Sequence, residues 1–318
     1  MAVTSGQTTF NLDLSELVEE AFERCGSQLR SGYDLRTARR SINLMTVEWA
    51  NRGINLWTVE ECVIPLVTNQ GVYPVPADTI DILDLVTRTS NGSTSNQTDI
   101  NLSRISESTY STIPNKLTTG RPIQVWFNRQ TALTNGLAST TVASTGTTPP
   151  VSATATTITL TSVAGLGSTG FVKIDSETIG YTNIDSSTNQ LLNCWRAQNG
   201  TTATTHSAGA SVYIQNLPCV NVWPTPDAGG GPYTLVYWRM RRLQDAGDGV
   251  NIQDIPFRFI NCFVAGLAYF LSMKLPDMDI NRAMGLKQEY EAQFALASAE
   301  DRETAPVRFV PRNLFYAR

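Results

Sequence analysis

The chain has 318 residues, a net charge of −4 and a charged fraction of 16%, against a usual share of about one quarter. Its acidic balance excludes a globally basic nucleic-acid binder, and a single histidine removes most His-based chemistry. At roughly 150 residues per domain the length predicts two domains, each with a core large enough to dispense with metal or disulfide staples.

Two helices are predicted first. Asp13 and Glu16 have capping-box spacing, and Leu14, Leu17, Val18, Ala21, Phe22 and Cys25 recur at three and four before Gly26. A second helix begins at Asp34, carries Leu35, Ala38, Ile42, Met45 and Trp49 on one stripe, and closes at Gly53. Arg36, Arg39 and Arg40 lie off that stripe, as a solvated face or a contact with an acidic neighbour.

The period then changes to two. Trp57 to Val67 against Gly71 to Val75 reads as a hairpin, Ile80 to Thr87 as a strand, and Ser106 to Ser111 as a short helix. Arg121 to Asn128, Val220 to Trp223 and Tyr233 to Arg241 complete a block expected to form one sheet.

Between Leu137 and Asn216 only Lys173, Asp175, Glu177, Asp185 and Arg196 are charged, so this segment holds the charge deficit. Residues 137–155 read as a flexible, Ser/Thr-rich lead-in. In 156–216, short alternating stretches at Thr157–Thr161, Gly170–Ile174, Glu177–Tyr181, Gln190–Asn193 and Ser211–Ile214 predict a small β-barrel or sandwich.

Two helices close the pattern. The first is capped at Asp254 with Pro256 in its first turn, runs to Lys274 and is apolar almost all round; its apolar run is too short to span a bilayer. Asp279 caps the last, with Ile280, Ala283, Leu286, Tyr290 and Phe294 inward. Residues 304–318 cannot form a core of their own and read as an extended arm with Val307, Arg308, Phe309, Val310, Arg312, Leu314, Phe315 and Tyr316 as contact residues. The expected fold is α+β: a four-helix frame, two helices from each terminus, with an antiparallel sheet region and an inserted small β-barrel or sandwich. The domains are 1–136 with 217–303, the lead-in 137–155, the insert 156–216 and the arm 304–318.

Catalytic motifs are weak. The five cysteines are widely spaced without a CxxC pair, which predicts free buried thiols in a reducing compartment. Residues 1–10 lack a charged-then-apolar signal pattern. His206 sits in a Thr/Ser/Ala/Gly turn with no carboxylate close in sequence and reads as locally hydrogen-bonded. Gly165 to Gly170 fits neither GxSxG nor a phosphate loop. Asp277, Asp279 and Asn281 start a calcium-loop pattern that fails at Arg282 and Gln288, leaving helix capping. No nucleophile, base and orienting group assemble, so the expectation is a non-enzyme with no catalytic residues, cofactor or metal.

The frame resembles the head-to-tail adaptor proteins of short-tailed phages, also called tail tubular protein A, head-completion or tail accessory factors. The resemblance rests on Ala38-Arg39-Arg40-Ser41-Ile42-Asn43-Leu44 through Glu48-Trp49-Ala50-Asn51-Arg52-Gly53-Ile54-Asn55-Leu56-Trp57, and on Pro256-Phe257-Arg258-Phe259 at the closing helices. Within the insert, Val172 to Thr182 and Leu192 to Ala210 resemble a small β-module of phage virion proteins. The resemblance implies a homo-oligomeric ring, twelve copies as a rule, between the portal protein and a tail nozzle or tubular protein B-like protein in the virion neck, assembled in the host cytoplasm. DNA passes through its lumen on ejection without sequence-specific binding, tail fibres are a further partner, and no membrane is involved. Arg36, Arg39 and Arg40 are then candidate subunit contacts, and the arm a contact with the portal or a neighbour. The runner-up reading is a virion decoration or carbohydrate-binding module, with Trp195, Tyr181 and Tyr213 of the insert as candidate stacking rings.

Overall fold

A computed structural model describes residues 10, 12–30, 32–54, 56–130, 139–146, 148–248, 250–276 and 278–302. Its helices, in chain order, are α1 (Leu14–Cys25), α2 (Gly32–Arg52), the short α3 (Glu107–Ser111), α4 (Ile260–Ser272) and α5 (Ile280–Glu300). Together with antiparallel sheets they make the fold α+β. The chain divides into two units, Met1–Val59 with Arg242–Arg318, and Glu60–Arg241.

In the first unit the helix ends follow local chemistry. The Asp13 carboxylate accepts from the Glu16 amide at 2.9 Å and Glu16 returns the bond to the Asp13 amide at 3.0 Å, which satisfies two otherwise orphan donors. Gly26 ends α1 in the left-handed region at φ 73°, where a side chain would be strained. Asp279 caps α5. Asp254 does not cap α4 as predicted: its carboxylate accepts from the Gln244 amide, and a 3-10 turn, Phe257–Phe259, leads into the helix.

One apolar cluster joins α1, α2, α4 and α5. Nine residues of α4 are buried, among them Phe263, Val264, Ala265, Leu267, Ala268 and Leu271. Trp49 of α2 sits at the centre. Its ring meets Phe263 edge-on at 6.1 Å and Phe259 at 5.9 Å, and its indole N–H donates to the Tyr290 hydroxyl at 3.0 Å. Arg52, one turn on, forms a two-pronged pair with Glu291 at 2.9 and 3.0 Å and lies over the Phe294 ring at 4.4 Å. These contacts hold the end of α2 to α5. They give Trp49 and Arg52 of the recognisable Glu48–Trp57 stretch a packing role.

The second unit contains two nested layers of sheet. In the outer one, a four-stranded sheet runs in the order Val59–Pro65, Tyr233–Arg241, Thr79–Thr89, Thr98–Asn101. A second four-stranded sheet runs Val72–Pro74, Cys219–Trp223, Gln124–Asn128, Ser103–Arg104. Both contribute to one core, Ile82, Leu85, Leu235 and Tyr237 from the first, Tyr73, Val125, Phe127, Val220 and Val222 from the second. The predicted 57–75 hairpin is therefore not formed, and the flanking strands make two sheets rather than one. Val59–Pro65 pairs with the strand that returns at Tyr233, whereas Val72–Pro74 pairs with Cys219–Trp223. Long-range partners with the right alternation outcompete the local turn.

The uncharged segment leaves after Asn128 and returns at Cys219, two residues that face each other in the ladder. It too is made of two sheets over one core: Trp195–Gln198, Glu177–Tyr181, Gly170–Ile174, Ser211–Gln215 and Thr140–Thr141 in one, Asn183–Asp185, Gln190–Leu192 and Ile158–Thr159 in the other. Among the described residues the strands do not close into a barrel. Part of the predicted flexible lead-in belongs to this core. Thr140–Thr141 pairs with Ser211–Val212, Val142 bridges to Leu160, and Val142 and Val151 are buried. Low complexity misleads here because the two valines are separated by Ala, Ser, Thr, Gly and Pro residues that carry no periodic signal, while their backbones bond to Ala210 and His206.

Gly266 of α4 marks the tightest point of the helical core. A β-carbon there would stand 2.5 Å from the Met45 sulfur and 2.8 Å from the Tyr290 ring. Gly266→Ala is expected to cost about 1–3 kcal/mol through overpacking. Gly285 of α5 has open space around it, and Gly285→Ala is expected to add about 0.5–1 kcal/mol. Urea unfolding of both variants, followed by far-ultraviolet circular dichroism, reads the opposite signs.

Candidate functional site

Of the predicted contact residues, Val307, Arg308, Phe309, Val310, Arg312, Leu314, Phe315 and Tyr316 lie outside the described residues. Arg36, Arg39 and Arg40 are on α2, directed away from the core; Arg36 and Arg40 are exposed and Arg39 is half-buried. Arg40 reaches the Thr37 hydroxyl at 3.4 Å. Among the described residues Arg36 and Arg39 meet no carboxylate. Lys274 joins this positive cluster: its ammonium bonds the Ser41 hydroxyl at 2.7 Å, and burial together with the Arg40 charge lowers its pKa.

The structure assembles a second constellation that sequence spacing does not reveal. His206 is fully buried in the insert, with Nδ1 at 2.7 Å from Asp175 Oδ2 and Nε2 at 3.0 Å from Glu177 Oε2. Both ring nitrogens of His206 therefore face a carboxylate. Glu177, also fully buried, takes a two-pronged bond from Arg196 at 2.8 and 2.7 Å and accepts from the Ala197 and Thr204 amides. Arg196 in turn donates to the carbonyls of Thr204 and Ser152. Three of the segment's five charged residues, Asp175, Glu177 and Arg196, thus meet around His206. The sheet brings residues about 30 apart together: Asp175 and Glu177 border one tight turn and His206 lies across from it. The only local sign was the Asp-Ser-Glu turn.

This network does structural work. Each polar atom of Glu177 is engaged, and His206 has no nitrogen left for a metal or a substrate. Among the described residues no group of three His, Cys, Asp or Glu is placed to hold a metal ion. The thiols of Cys25, Cys194, Cys219 and Cys262 are buried, and desolvation pushes them up to about 11 for Cys25 and about 12 for the other three, which keeps them protonated at neutral pH. Of the rings considered for sugar stacking, Tyr181 is buried against Gly170, while Trp195 and Tyr213 are half-buried. No helix among the described residues is long and apolar enough to cross a membrane.

Burial alone would raise the Glu177 carboxyl. Arg196, the two backbone amides and His206 outweigh it and hold the group at about 2, below its ordinary 4.5. A depressed carboxylate stabilises the fold fully above about pH 4.5, and that contribution fades as pH falls toward about 2. Hydrogen exchange of the insert strands is therefore expected to accelerate across that window. Arg196→Ala, which strands the buried carboxylate, is expected to destabilise the insert by about 3–5 kcal/mol at neutral pH. Unchanged protection of Gly170–Tyr181 in that variant would show the network to be dispensable.

Comparison with known proteins gives one informative match. The model of the SU10 adaptor protein family matches residues 126–310, which takes in the insert, the returning strands, α4 and α5. No curated protein matches the chain. The matched region covers more than half of the sequence, so the chain belongs to the SU10 adaptor protein family: it is a phage structural adaptor, a virion component that contacts other head or tail proteins.

Proposed function

We propose that the protein is a head-to-tail connector: a ring of identical copies between the portal and the tail nozzle of a short-tailed phage, through which DNA leaves the head. Family membership is the observation that carries this reading. Several physical features support it. The net charge of −4 suits a conduit, because an acidic wall does not retain passing phosphates. The helical unit keeps large apolar side chains on its surface, among them Tyr33, Leu44, Phe257, Ile280 and Leu296, as expected of a subunit that packs against others. The charge-poor insert, with Glu177 and Arg196 paired internally, presents Ser and Thr to its surroundings and suits a surface facing solvent or further virion parts.

The reading includes the absence of catalysis. Four buried thiols held protonated and a histidine with both nitrogens occupied are in keeping with a structural role. It also gives residues 304–318 the role of an arm that reaches the portal or a neighbouring copy.

Electron micrographs of virions with and without the chain test the placement. Density lost from between portal and nozzle is expected; density lost elsewhere overturns the reading. Deletion of residues 306–318 is expected to leave the melting of the fold unchanged and to reduce attachment to the portal, measured by co-sedimentation. Full attachment by the shortened chain would remove the arm from the mechanism.

A further inference from the structure

We infer that the first half of α2, together with Lys274, grips the phosphate backbone of duplex DNA without reading its sequence. The inference rests on the conduit reading, which brings a duplex to the chain, and it names the side chains that touch that duplex.

Arginines elsewhere in the chain are neutralised. Among the described residues ten of them pair with carboxylates. Several of these pairs are two-pronged, as in Arg52 with Glu291, Arg88 with Asp99 and Arg196 with Glu177. Arg36, Arg39 and Arg40 depart from this pattern. No carboxylate among the described residues pairs with them, although they stand three and four residues apart on one helix, where like charges repel and weaken the helix. Lys274 reaches the same patch from beyond the end of α4. Its ammonium donates to the Ser41 hydroxyl at 2.7 Å, and burial together with the Arg40 charge lowers its pKa. The carboxylates nearest along α2 are engaged: Asp34 accepts from the Arg30 amide, and Glu48 pairs with Arg52. On the loop whose Ala246 amide bonds Asn43, Asp245 is held by Arg242. Cations are thus gathered against their own repulsion, and an anion relieves it.

The shape and donor set of the patch select phosphate. At about 100° per residue, Tyr33, Arg36, Thr37 and Arg40 share about 100° of the helix surface, opposite the buried line Ala38, Ile42, Met45 and Trp49, with Arg39 on the flank. Tyr33 is 69% exposed. Guanidinium, ammonium, Tyr and Thr groups are the side chains that proteins direct at phosphate oxygens, and such contacts carry no sequence information. Exposed Leu44 and Val47 come one and two turns after Arg40 and lie outside the patch, whereas a protein interface would be built around such residues. The chain is acidic overall, which lets DNA slide. In a ring the patch recurs once per copy, and that band is where the duplex is held until release.

Duplex binding by the full chain tests the patch. Fluorescein-labelled duplexes of two unrelated sequences are titrated with the protein, and anisotropy is read over a series of salt concentrations. Equal affinity for both duplexes is expected, falling as salt rises. Arg36→Gln with Arg40→Gln is expected to weaken binding about tenfold at low salt and to lower the slope of log affinity against log salt by about two, one for each phosphate contact removed. Lys287→Gln, at an exposed site on α5, is expected to change neither. Circular dichroism melting checks that both variants fold. No binding at low salt, or binding that the double variant leaves unchanged, overturns the proposal. Polyglutamate bound as tightly as the duplex, and released by the same variant, would assign the patch to an acidic protein and overturn it as well. Micrographs of wild-type virions keep the two levels of failure apart. A ring between portal and nozzle, from a chain that binds no duplex, removes the grip and leaves the ring reading standing; particles without a ring there overturn both.

Discussion

Burial of α4 organises the helical unit. Its thirteen residues carry no formal charge, and nine are buried. No single neighbour can cover such a helix. α1 and α2 arrive from the start of the chain and α5 from its end, and each packs on α4. Gly266 sets how closely they approach, since the Met45 sulfur and the Tyr290 ring occupy the space a side chain would take. Trp49 and Arg52 then lock the outer helices together through Tyr290, Glu291 and Phe294. The discontinuous course of the unit follows from this demand.

The β unit solves a different problem. The charge-poor segment folds with few ion pairs, and the one between Glu177 and Arg196 is buried. Arg196 and His206 both point inward to Glu177, which makes the network a device for fixing one register between Gly170–Ile174, Glu177–Tyr181 and Trp195–Gln198. Buried charge is costly, and it is retained here with every acceptor of Glu177 satisfied.

Much of this was legible in the residues. The periodicity of α1 and α2, the Asp13 box, the Asp279 cap and the strands Gly170–Ile174, Glu177–Tyr181 and Tyr233–Arg241 follow from local pattern, because each carries its own stop signals or clean alternation; on α5 Leu286 and Tyr290 are buried as expected, whereas Ile280, expected inward, is exposed. What failed was pairing. The 57–75 hairpin was inferred from proximity in sequence, yet both of its halves pair with strands some 150 residues away. Asn183–Asp185, Trp195–Gln198 and Thr140–Thr141 were missed because short edge strands with polar faces lack a periodic signature. The partners of His206 were invisible for the same reason: only strand register brings Asp175 and Glu177 to it. The basic triplet on α2 was visible, but the apolar residues that share its outer face were hidden behind the stronger inner stripe.

The nesting also bears on how the chain is made. The strand that leaves the helical unit, Val59–Pro65, and the strand that returns to it, Tyr233–Arg241, are neighbours in one sheet. α1 and α2 emerge from the ribosome first, with Leu17, Phe22, Ile42 and Trp49 uncovered, and wait for α4 until the whole β excursion has been translated. At about 5–20 residues per second that delay is on the order of ten seconds or more. Until then the apolar faces of α1 and α2 have only each other for cover.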